Sequence, residues 1–223
     1  MPAKTKPSGT SVKHLAAELI ARKSSERDGA TILLGAGASL SSGVPSWPDL
    51  AGLICDEFDI DRTSTSAIDA VVHYFKQESV PYAQRYTVFH KYLQGSHPSL
   101  GYGHLAELVR EGLVSRILTT NWDPLVETAL HKVIPCERLK VLIRGEMSDD
   151  DIASLLKLRN NLPTVVKLHG DLQSRVFMLG NTETRQFSVN LLILVAWVVG
   201  AGRKWCARLS LACLVDERST MLI

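Results

Sequence analysis

The amino-acid sequence predicts an α/β fold, a doubly wound and mostly parallel sheet carrying a small helical insertion. Two observations carry this prediction. Short apolar runs alternate with stretches of helical periodicity, the order that builds a parallel sheet covered by helices. Three of those runs also stop directly at polar or glycine-rich segments, and folds of this kind bind ligands beyond the carboxyl ends of their strands.

Taken in order, residues 12–23 place Val12, Leu15, Ala16, Leu19 and Ile20 at helical spacing, with Lys13, Glu18 and Arg22 opposite. Residues 30–34 form an apolar run ending at Gly35, as a fully buried parallel strand would. Residues 47–58 read as a helix begun by Ser46, with Pro48 in the first turn and Asp49 completing a capping-box-like arrangement. Residues 66–94 hold two helical stretches divided at Pro81. Their aromatics (Tyr74, Phe75, Tyr82, Tyr86, Phe89, Tyr92) suffice for an apolar subdomain, and either pack as core or line a pocket. A helix over 104–111 stops at Gly112, a strand covers 114–118, and a helix begins at Pro124. A strand at 139–143, a helix at 150–158 and a strand at 164–168 complete the regular pattern.

Composition sets bounds on function. The 223 residues suit one domain, with or without a small insertion, and 45% hydrophobic against 22% charged residues describes an ordinary soluble protein with a core. With 25 Lys plus Arg against 23 Asp plus Glu there is no electrostatic case for nucleic acid or an anionic membrane as the main partner. Cys55, Cys136, Cys206 and Cys213 form no C-x-x-C pair and have no His at zinc-ligand spacing, so no metal site is expected. Residues 1–12 are polar, lack an apolar signal core and read as a loose tail; reduced thiols and a cytoplasmic location follow as expectations. The apolar run at 191–199 falls short of the ~20 residues a spanning helix needs and reads as a buried strand.

Three motifs lie at strand ends. Gly35-Ala36-Gly37-Ala38-Ser39 follows the first strand; its glycines permit a tight turn and let backbone N–H groups approach a pyrophosphate, although a turn with no ligand uses the same residues. Thr119-Thr120-Asn121-Trp122-Asp123 follows the second, where Asp123 either serves a ligand site or caps the helix from Pro124. Lys167-Leu168-His169-Gly170-Asp171 follows the strand at 164–168. A histidine between an apolar strand and a glycine, at the ligand edge, favours function over packing, and Asp171 either orients it or opens the next turn.

In this order, with Ser42-Gly43-Val44-Pro45 after the glycine loop, the motifs resemble the sirtuin superfamily, whose Rossmann-like domain binds NAD. Pro45-Ser46-Trp47 is most similar to the sirtuin-like domains of bacterial NAD-consuming antiviral defence proteins. Deacylase sirtuins instead carry Pro-Asp-Phe-Arg at that place and usually a four-cysteine zinc ribbon, and neither is found here. The resemblance implies that residues 13–187 form the NAD-binding domain, with 66–94 as its helical insertion closing over the nicotinamide end. It implies NAD as substrate and a glycohydrolase activity, with an NAD-dependent protein deacylase or a catalytically degenerate nucleotide-binding regulatory module as the alternatives, and a homo-oligomer or activating partner protein. Gly35, Ala36, Gly37 and Ser39 would cradle the pyrophosphate, and Thr120 and Asp123 would serve the nucleotide side of the second motif. Asn121 would hold the nicotinamide ribose or the attacking water, and His169 would contact ribose hydroxyls or act as general base. At a strand end both catalytic candidates are expected to be dispensable for stability. Residues 188–223 depart from the pattern: either the apolar run is the last strand, with Gly200 and Gly202 as a second ligand loop, or this end is aberrant.

Overall fold

The computed structural model describes residues 12–24, 29–157 and 162–179. The readings of residues 1–11 and 188–223, the strand at 191–199 included, lie outside these described residues. Helix α1 (Val12–Ser24) forms where its periodicity predicts, yet Val12 and Ile20 are exposed and only Leu15 and Leu19 of its apolar positions are half-buried.

Strand β1 (Ala30–Leu34) leads into the short helix α2 (Gly37–Leu40) and then α3 (Trp47–Glu57). Ser46 begins α3 as predicted: its hydroxyl accepts the Asp49 N–H at 3.3 Å and donates to the Asp49 carboxylate at 2.5 Å. Leu50, Ala51, Ile54 and Cys55 then recur on one helical face and are buried. Helices α4 (Ala67–Lys76) and α5 (Tyr82–Leu93) are separated at Pro81, and Ser66 caps α4 onto Asp69 as Ser46 does onto Asp49. Phe75 and Phe89 are fully buried, so these two aromatics of the insertion are core. Helix α6 (Leu100–Arg110) starts a turn before residue 104, because Gly101 and Gly103 weaken the helical signal there without preventing the helix.

Strand β2 (Val114–Thr119), helix α7 (Leu125–Leu130), strand β3 (Lys140–Ile143), helix α8 (Asp149–Lys157) and strand β4 (Thr164–Lys167) follow, then the short pair β5 (Gly170–Asp171) and β6 (Val176–Phe177). The four longer strands are all parallel, in the order β1-β2-β4-β3. This is the α/β architecture the sequence predicts. One expectation needs correction: β1 is half-buried along its whole length, because among the described residues it is an edge strand with a neighbour on one side only. Full burial belongs to β4, at the sheet's interior.

Register now places the motifs. Leu34 pairs with Thr119, Thr119 with Lys167, and Lys167 with Ile143, so the strand ends form one row across the sheet. Gly35, Thr120, Leu168 and Arg144 are the residues that follow that row.

Candidate functional site

The first two motifs are joined by a buried polar knot. Asn121 uses both hydrogens of its amide nitrogen, one on the Gly35 carbonyl at 3.0 Å and one on Ser39 Oγ at 2.9 Å. Ser39 Oγ has one hydrogen, which it donates to Asp123 Oδ2 at 2.8 Å. The Tyr102 hydroxyl, 2.8 Å from Ser39 Oγ, must therefore be the donor in that pair. Burial, with Asp123 nearby, pushes the Tyr102 phenol up to about 12, so it keeps the proton this role requires. Asp123 also accepts the Leu125 N–H through Oδ1 at 3.1 Å, an Asx turn leading into α7, whose N-cap is Pro124 rather than the expected Asp123.

These contacts assign places to the sequence candidates. Gly35, Ala36 and Gly37 are exposed at the end of β1, and Thr120 is half-buried beside Gly35. Ser39 differs from its expected place in a phosphate cradle: its side chain is 1% exposed and spent on Tyr102, Asp123 and Asn121. Asp123 likewise faces inward, as a brace for the loop. Asn121 is 7% exposed and carries two internal bonds, so it is not dispensable for stability as a surface residue would be.

The second and third motifs are stitched together just as closely. The Trp122 indole N–H donates to the His169 carbonyl at 2.9 Å, and Leu172 N–H donates to the Trp122 carbonyl at 3.0 Å. Asp171 accepts the N–H groups of Gln173 and Ser174, closing the turn after His169. His169 is half-buried as a residue, yet its Nε2 is sealed from solvent with no hydrogen-bond partner among the described residues. Burial, then the positive charge of Arg144, push the imidazole down to about 4. It is neutral at physiological pH and so free to accept a proton, as a weaker base than an ordinary imidazole.

Sequence reasoning missed Tyr102, Arg144 and Glu127 as members of this region, and gave Lys167, the first residue of the third motif, no role. Lys167 has no exposed surface, and its ammonium contacts Asp171 at 2.7 Å, the Asp123 carbonyl at 2.7 Å and Glu127 at 3.2 Å. Burial alone would lower this lysine, but Glu127 and Asp171 outweigh it and hold it above its usual range. Glu127 is itself raised by burial, with Lys167 pulling the other way. A lysine at the end of an otherwise apolar strand was the available sequence signal.

A cleft of about 590 Å³ opens elsewhere, between the 58–65 loop and α4, and none of its lining residues belongs to the three motifs. Asp59, Asp61 and Asp69 face it, which would repel a pyrophosphate. Among the described residues no group of His, Cys, Asp and Glu is placed to hold a metal ion, and no helix is long and apolar enough to cross a membrane.

Residues 115–191 match the SIR2-like domain family. The SIR2-like stretch contains Asn121 and His169 and runs beyond the last described residue, while the glycine loop lies before it. The match makes that stretch, about a third of the chain, similar to SIR2-like domains. No curated protein matches the chain.

Proposed function

We propose that the chain is an NAD hydrolase that cleaves the nicotinamide–ribose bond to give nicotinamide and ADP-ribose. The observation that carries this reading is His169 Nε2: a sealed, neutral base, without a partner among the described residues, in the loop bonded to the Asn121 loop. An enclosed polar atom without a partner costs about 1–3 kcal/mol, a cost removed when a ligand or water hydroxyl donates to it. Water supplies the oxygen that bonds to the ribose C1′, and His169 takes its proton. The glycosidic electron pair leaves with the nicotinamide and neutralises the ring's positive charge. Asn121 has no amide hydrogen to spare, so it holds the water or a ribose hydroxyl as an acceptor, through Oδ1. The transition state is oxocarbenium-like, and positioning with a base contributes more than a strong nucleophile.

Gly35, Ala36 and Gly37 would hold the pyrophosphate, and Thr120 the adjoining part of the nucleotide. Residues 13–187 are proposed as the NAD-binding unit, with antiviral defence as its setting on the strength of Pro45-Ser46-Trp47. Incubating the purified chain with NAD, with and without an acylated peptide, and separating the products by chromatography tests the proposal. Free ADP-ribose without peptide is the expected product; acyl transfer that requires peptide would establish a deacylase instead. Gly37→Val gives a second check. A Cβ at Gly37 meets nothing within 4 Å, so the protein folds normally while the branched side chain obstructs the phosphates. The expected result is at least tenfold weaker NAD binding by calorimetry; unchanged affinity removes the loop from the site.

A further inference from the structure

Lys167 is a fully buried cation that NAD cleavage does not itself require. It extends from an interior strand between Val166 and Leu168, both buried, and its ammonium reaches three separate parts of the chain. One is the Asp123 carbonyl, two residues beyond Asn121; another is Asp171, two residues beyond His169; the third is Glu127 on α7. If packing were all this position had to provide, an apolar side chain would serve, since a buried ion pair rarely stabilises a fold more than a hydrophobic group of similar volume. A charge-assisted bond to a backbone carbonyl instead fixes direction and distance. Asp171 extends that fixation, because its second oxygen holds the Gln173 and Ser174 N–H groups of the turn after His169.

We propose that Lys167 is a positioning residue that clamps the Asn121 loop to the His169 loop through the Asp123 carbonyl and the Asp171 carboxylate. The clamp sets the separation of the two groups that serve the reaction, and this part of the proposal rests on the NAD hydrolase reading.

The test replaces Lys167→Met together with Glu127→Gln and Asp171→Asn, so that no buried carboxylate is left without its cation. The second variant, Asp171→Asn alone, cuts only the arm toward His169. In the triple variant the expected result is an affinity for NAD within about threefold of wild type and a kcat lower by about 100-fold, the size of loss a misplacement of ~1 Å produces. Asp171→Asn gives a smaller loss in the same direction. Two readings need no turnover. Hydrogen exchange at the Trp122 indole N–H, which bonds the His169 carbonyl, accelerates at least tenfold. The His169 imidazole titration, followed by NMR, moves from about 4 toward the ordinary 6.5. Folded variants with wild-type kcat, indole protection and His169 titration overturn the proposal. If the wild type leaves NAD intact, the hydrolase reading falls alone, and indole exchange and imidazole titration still decide the clamp.

Discussion

His169→Ala lowers NAD turnover by 10²–10⁴-fold, about 3–5 kcal/mol of transition-state stabilisation, while the thermal midpoint stays close to that of the wild type. The two halves of this expectation have different origins. The loss in rate follows from removing the neutral base in the loop held against Asn121. The preserved stability follows because Nε2 has no partner to lose and the bonds made by His169 go through its carbonyl, which alanine keeps. Asn121→Ala separates from it: the rate falls as far, but two buried hydrogen bonds go too, at about 1–3 kcal/mol of stability. The pH profile of wild-type kcat/KM gives an independent check. A base that titrates at about 4 is deprotonated above that value, so its limb is flat through neutral pH and falls only as pH drops through 4. An acid limb near 6.5 would mean that His169 is not the base. Retained turnover in His169→Ala would remove it from the chemistry altogether.

Gly170→Ala is expected to cost about 3 kcal/mol or more of folding free energy, read from urea titration. Gly170 has φ +90°, a conformation that side chains rarely adopt, and a Cβ built there lies 2.1 Å from the Val176 carbonyl oxygen. The obstacle is backbone, held by the pairing of Gly170 with Phe177 and Asp171 with Val176, so it cannot rotate away. Relief requires β6 to move, which carries Met178 and its bond to the His169 carbonyl with it. Turnover therefore falls together with stability, unlike the His169→Ala result. A variant within 1 kcal/mol of wild type would show that the turn after His169 is looser than this geometry.

The sheet and the strand-end location of the three motifs were legible because hydrophobic periodicity changes abruptly at Gly35, Thr119 and Lys167. The helix start at Ser46 was legible for a local reason, a serine followed three residues later by aspartate, and the structure repeats that pattern at Ser66 and Asp69. The inward turn of Ser39 was not. Nothing in Gly35-Ala36-Gly37-Ala38-Ser39 says which small residue faces the interior until Tyr102 and Asp123, far away in sequence, supply its partners. Arg144 was hidden for a related reason. Its proximity to His169 depends on β3 lying beside β4, and the strand order β1-β2-β4-β3 leaves no mark on any single strand.

The aromatic rings beneath the site bear on how substrate gets in. Phe89 from α5 lies 4.9 Å from Trp122, 5.1 Å from Phe177 and 6.1 Å from Trp47, so the helical insertion is anchored in the floor of the loop that carries Asn121. A hinge motion that withdrew Phe89 would expose an aromatic side chain of roughly 150–250 Å², about 4–6 kcal/mol at ~25 cal/mol per Å². That leaves about one molecule in a thousand, or fewer, open at any moment. In the proposed hydrolase, α5 would thus be a fixed wall beside the Asn121 loop. Under that proposal, admission of the dinucleotide would fall to smaller movements, of a loop or a single side chain, over an aromatic floor that keeps its shape.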